Sequence, residues 1–112
     1  MELYERIAKV RETIAERGWT KDKVCDRNTD AVCIRGAIGV VACGSPYDWE
    51  EDLELDEFLR DCAAAQGYQP SNVGTIWHLP PHVVFNNDYK TTVADMDSFL
   101  YEAELAAKEL AT

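Results

Sequence analysis

The sequence predicts a mainly α-helical single domain, 1–112, of four to five helices, with room for a minimal two-stranded β ribbon near residues 24–33. Three observations carry this. Apolar residues recur at helical spacing along two long stretches, one at each end of the chain. Glycines close the helical stretches at Gly18, Gly44 and Gly67. The chain has 112 residues, of which 46% are hydrophobic and 10% aromatic. A chain of that size buries about two thirds of its unfolded surface, enough for one modest core.

The first helix runs from Glu2 to Arg17, with Leu3, Ile7, Val10 and Ile14 on one face and the opposite charges Glu2–Arg6 and Glu5–Lys9 at i,i+4. Gly18 ends it as a left-handed cap, which sets Trp19 against Ile14 as a lid on the core. Thr20–Ala31 is polar, and its Asp26–Asp30 turn lies between Val24-Cys25 and Ala31-Val32, the rungs of the expected ribbon. In residues 33–43, Ile34, Ala37, Ile38, Val41 and Ala42 fit one helical face. Gly36 and Gly39 each cost a helix about 1 kcal/mol against alanine, which a closely approaching second helix would explain. A buried strand is the alternative for this run.

Ser45-Pro46 has the form of an N-cap and first helical position, so a third helix is expected within Pro46–Gln66, with Leu55, Phe58, Leu59, Cys62 and Ala65 inward. Ser71-Asn72 opens a short helical turn carrying Val73, Ile76 and Trp77. Pro80-Pro81 breaks it and leaves His82–Phe85 extended. After the Asn86-Asn87-Asp88 turn, Thr92 caps the last helix, whose stripe is Val93, Met96, Leu100, Ala103, Ala107 and Leu110. The expected core is Ile7, Val10, Ile14, Ile38, Val41, Met96, Phe99, Leu100 and Ala103.

Net charge is −10 and unevenly spread. Residues 1–35 carry eight Lys/Arg and seven Asp/Glu, whereas residues 36–112 carry three and fourteen. Binding to a phosphate backbone needs clustered Lys and Arg, so direct nucleic-acid binding is not expected. The longest apolar run, Ala37–Cys43, is too short for a bilayer, which takes about 20 residues. Met1–Glu5 lacks the layout of a signal peptide. The expected setting is the cytoplasm, with the four cysteines reduced and no membrane contact.

An amphipathic helix ending in Gly18-Trp19, the segment Cys33-Ile34-Arg35-Gly36-Ala37, the Asn87-Asp88 turn and Thr91 or Thr92 before a last amphipathic helix form a familiar order. The chain resembles a family of small uncharacterised domains of actinobacteria and their bacteriophages. The resemblance implies a cytoplasmic setting and an actinobacterial or phage source, and it supplies no catalytic residues.

The catalytic candidates are Cys33, His78 and His82. A thiol at a helix N-terminus can become a nucleophile, either imidazole can serve as its base, and Asn86, Asn87 or Asp88 can orient the ring. This set defines a cysteine hydrolase or transferase alternative. Against it, free cysteine is commonly a small core residue, and the apolar neighbours Val32 and Ile34 favour a buried, unreactive Cys33. Cys25, Cys33, Cys43, Cys62, His78 and His82 contain no Cys-x-x-Cys pair, and prolines prevent His78 and His82 from sharing a helical face. Neither a metal site nor a cofactor is expected.

Seven acidic residues fall within 48–57, beside Tyr47 and Trp49. A charge block of this kind is ordinarily a solvated face. Its functional reading is a partner-binding surface of Tyr47, Asp48, Trp49, Glu50, Glu51, Asp52 and Glu54 that engages a basic region of a host or phage protein. Neutralising Glu50, Glu51, Asp52 and Glu54 together is then expected to leave folding intact. Arg17, Lys21, Lys23, Arg27 and Arg35 make the other end mildly basic, which allows a homodimer. The favoured function is therefore a non-enzymatic interaction protein, and a DNA-mimicking inhibitor is a further alternative.

Overall fold

A computed structural model describes residues 1–73 and 77–112. Five α-helices dominate it: α1 (Leu3–Arg17), α2 (Ile34–Cys43), α3 (Leu53–Ala65), α4 (Pro81–Asn87) and α5 (Val93–Leu110). A 3-10 turn, Trp49–Asp52, leads into α3, and two short strands, β1 (Ser71–Val73) and β2 (Trp77–Leu79), pair antiparallel between α3 and α4. The chain is mainly α.

α1 and α5 share the most extensive helix contact, and α2 crosses α1 beside it. Arg11 of α1 reinforces the first pair by reaching Asp97 (3.0 Å) and Glu104 (3.3 Å) of α5. Thr92 caps α5 and exchanges hydrogen bonds with Asp95 in a capping box. The core joins Ile7, Val10 and Ile14 to Val32, Ile34, Ala37 and Ile38, to Leu55, Leu59 and Ala63 of α3, and to Phe85, Met96, Phe99, Leu100 and Ala103. Of the expected core only Val41 is merely half-buried. The ends of the α5 stripe run off the core, leaving Val93 and Leu110 exposed.

Residues 33–43 are helical. The glycines there serve a closer neighbour than another helix: a Cβ on Gly36 would lie 2.1 Å from the Val24 carbonyl oxygen, and one on Gly39 2.3 Å from that of Ser45. Helix α2 is thus pressed against the loops that enter and leave it. The ribbon expected near 24–33 shrinks to single rungs. Val32 bridges Cys25 antiparallel and Trp19 parallel. The Asp26–Asp30 turn uses up the chain, and Cys33, whose N–H bonds the Val24 carbonyl (3.1 Å), already begins α2.

Three other expectations are corrected. Ser45-Pro46 forms a turn, with the Tyr47 N–H on Ser45 Oγ, and α3 starts later, capped by Asp52. Residues 71–73 are a strand rather than a helical turn, in register Ser71–Leu79, Asn72–His78 and Val73–Trp77; Ile76, placed in that turn, lies outside the described residues. His82–Phe85 is helical, because Pro81 occupies the first position of α4, where its missing N–H is harmless and its fixed φ suits the helix.

Candidate functional site

The acidic run 48–57 is split by the geometry of its own helix. Asp56 shares a face with Leu59 and Ala63, three and seven residues on, and therefore turns inward, where it is 4% exposed. Its two carboxylate oxygens accept from Arg35 Nε and Nη2, both at 3.1 Å, and Oδ1 also faces His82 Nε2 at 2.7 Å. Burial works to raise the Asp56 pKa, but the hydrogen bonds and charges of His82 and Arg35 outweigh it and hold the carboxyl below its ordinary value. With Asp56 ionised, Nε2 is the His82 nitrogen that donates to it; Nδ1 is buried without a hydrogen-bond partner among the described residues. The Arg35 guanidinium also lies 3.6 Å from the centre of the Trp49 ring, so one cation ties the 3-10 turn to Asp56.

Asp52 is the second inward carboxylate. It accepts from the Leu55 N–H (3.1 Å) as the cap of α3 and from Arg6 Nη1 at 2.8 and 2.7 Å. Glu54 pairs with the other Arg6 nitrogen, Nη2. The expectation that Asp52 can be neutralised without cost to folding is corrected: it caps one helix and clamps another.

Asp48, Glu50, Glu51 and Glu57 point outward and make no ion pair among the described residues. Tyr47 and Leu53 stand among them 54% and 51% exposed. Of the seven residues proposed from sequence as a partner surface, Tyr47, Asp48, Glu50 and Glu51 are exposed and unpaired, Glu54 is exposed but paired, and Trp49 and Asp52 are largely tied down.

Cys33, His78 and His82 are placed apart in their bonding. Cys33 is the N-cap of α2 and 6% exposed, and its Sγ accepts from the Gly36 N–H at 3.4 Å. Burial pushes its thiol up, outweighing the lowering by the helix N-terminus and by Arg35. His82 is engaged by Asp56, and His78 sits exposed on β2, lining a surface cleft. A hydrolase needs the thiol on an imidazole, whereas the thiol here bonds backbone and the buried imidazole bonds a carboxylate. Native Cys33 should react with a thiol reagent at neutral pH far more slowly than exposed Cys43. Rapid modification of Cys33 in the folded protein would contradict this assignment. Among the described residues no group of three or more His, Cys, Asp or Glu is placed to hold a metal ion, and no helix is long and apolar enough to cross a membrane.

Asn86 orients no imidazole. It is fully buried and spends three of its four hydrogen bonds on the loop before α2 and the first residue of α2, and the fourth on its neighbour in α4: Oδ1 accepts from Trp19 Nε1 (2.7 Å) and the Ile34 N–H (3.0 Å), and Nδ2 donates to the Thr20 carbonyl (3.2 Å) and to Asn87 Oδ1 (3.0 Å). The sequence signature Gly18-Trp19, Cys33-x-x-Gly36-Ala37, Asn87-Asp88 and Thr92 therefore marks joints: a helix stop, a helix start pressed on Val24, a loop anchor and a cap.

A family profile covers these joints, matching residues 2–105. The chain belongs to DUF6197, a family of unknown function. No curated protein and no solved structure matches it. The DUF6197 region includes every residue of the Arg35–Asp56–His82 and Asn86 networks and the whole acidic strip, so the candidate surface is part of the family domain rather than an appendage to it.

Proposed function

We propose that this protein is a small, non-enzymatic interaction protein that binds a basic region of a host protein through the outward part of its acidic strip, Tyr47, Asp48, Glu50, Glu51 and the neighbouring Leu53. The observation that carries the reading is the exposure of two large apolar side chains, Tyr47 and Leu53, among carboxylates that have no ion-pair partner among the described residues. Aromatic and apolar anchors supply binding energy, and unpaired charge steers a basic partner to them. The rigid backing suits the role. Trp49 and Asp52 are held by Arg35 and Arg6, which lowers the backbone ordering cost of presenting the strip. The resemblance to actinobacterial and actinobacteriophage domains supports an origin in one or the other, and with it a cytoplasmic setting.

The test is comparative capture from an actinobacterial lysate with wild type and with the Tyr47→Ala/Glu50→Gln/Glu51→Gln variant. The wild type should retain a protein that the variant loses, the wild-type on-rate should fall as salt screens the strip, and both proteins should melt alike. Equal capture by the two proteins overturns the reading. If the captured protein binds DNA and DNA competes with the strip, the interaction is DNA mimicry.

A further inference from the structure

We infer that the cleft alongside α3 is the seat of a short, extended, basic segment of the partner, carrying an apolar residue and a Lys or Arg two positions from it. The inference rests on the reading of the acidic strip as a partner surface and names the chemistry that surface takes. The cleft has a volume of about 460 Å³ and opens next to the strip. One wall is the outward face of α3, where Leu53, Glu57, Asp61 and Ala64 follow one another at helical spacing. Trp49 and the Arg35 guanidinium stacked on it also line the cleft.

Charge decides the occupant. The cleft's two guanidiniums are already neutralised, Arg35 by Asp56 and Arg60 by Asp61 at 2.9 Å. Glu57 lines the cleft without an ion pair among the described residues, and the exposed Asp48, Glu50 and Glu51 flank Trp49 in sequence. An acidic or neutral segment would gain nothing from this field, whereas a cation at Glu57 meets an uncompensated carboxylate. The cleft is also lined by Pro70, His78, Pro80 and Pro81, and the three prolines offer no N–H to an incoming strand, so recognition along them runs through side chains.

Spacing follows from the helix. Leu53 and Glu57 are four residues apart, about 6 Å along the axis. An extended chain covers that in about two residues at roughly 3.3 Å each. An apolar side chain against Trp49 and Leu53 therefore places a Lys or Arg two positions away, in either chain direction, beside Glu57.

The test is selection of a displayed random octapeptide library on the wild-type protein and, in parallel, on Glu57→Lys. Glu57 is exposed and unpaired, so the variant should melt as wild type does. Selection on wild type should enrich peptides with the pattern apolar–any–Lys/Arg or its reverse. A selected peptide should bind Glu57→Lys at least tenfold more weakly and shift the amide resonances of Leu53–Ala64. Enrichment of peptides without a basic residue, equal binding by Glu57→Lys, no enrichment, or shifts confined to another face overturns the inference. The two proposals separate in the lysate experiment. Capture that survives Glu57→Lys but is lost with Tyr47→Ala/Glu50→Gln/Glu51→Gln removes the cleft as the seat and leaves the strip standing. Capture kept by the strip variant removes the strip, and with it the inference that rests on it.

Discussion

Replacing Asn86 by alanine should lower the unfolding free energy by about 3–5 kcal/mol, because several buried partners lose their hydrogen bonds at once. The Ile34 N–H, in the first turn of α2, would be left buried without an acceptor, as would the Trp19 indole N–H, and the Thr20 carbonyl would lose its donor. Each such loss costs about 1–3 kcal/mol where water cannot replace the partner, and Trp19 is half-buried, so its share falls at the low end. Asn86→Asp should be harmful as well, since it sets carboxylate oxygens where the amide donated to the Thr20 carbonyl and to Asn87 Oδ1. Urea unfolding of the three proteins checks both expectations. A loss below about 1 kcal/mol for Asn86→Ala would mean that the loop before α2 is anchored by other contacts.

Replacing Asp56 by alanine should cost about 2–4 kcal/mol. Removing one member of a buried charged cluster leaves the others uncompensated, at about 3–5 kcal/mol for a fully buried pair. The Arg35 side chain is 21% exposed, so water recovers part of that loss, while His82 is fully buried and loses its only hydrogen-bond partner among the described residues. The effect should depend on pH with a definite sign. The folded-state pKa of Asp56 lies below its ordinary value of 3.8, so the folded protein holds this proton less tightly than the unfolded chain does. The stabilisation from the ionised carboxylate is therefore fully present above that value and disappears as pH falls through the folded pKa. The stability gap between wild type and Asp56→Ala should be constant at neutral pH and narrow below the ordinary aspartate value. A gap that stays constant well below it would assign the loss to packing rather than to the ionised carboxylate.

What could be read from the sequence followed helical period. The apolar stripes of α1 and α5 are long, so Ile7, Val10, Ile14, Met96, Phe99 and Leu100 were placed in the core without any tertiary information. Thr92 and the Gly18 stop were legible because capping is local chemistry. Short elements were not. β1 and β2 are three residues each, and α4 begins at a proline that breaks a helix when internal but opens one at its first position.

The candidate site was half legible. Seven acidic residues in ten read as one charged surface, yet a helix turns by about 100° per residue, so a block that long must point some members inward. The period that placed Leu55 and Leu59 in the core put Asp56 beside them. What the sequence could not provide was the partners: Arg35 and His82 come from 21 and 26 residues away. Asn86 was singled out as an orienting group for a histidine, and its true partners, Trp19 and Ile34, become visible only when α4 is laid against the loop before α2.

The central claim is that one acidic stretch serves two roles, with Asp52 and Asp56 holding the fold and Glu50, Glu51 and Glu57 remaining free to bind. Urea unfolding at neutral pH of Asp56→Ala and of Glu50→Ala/Glu51→Ala tests it in one comparison. The account predicts a loss of about 2–4 kcal/mol for the first and a change within about 0.5 kcal/mol for the second. Losses of similar size in both variants, or none in either, would contradict it.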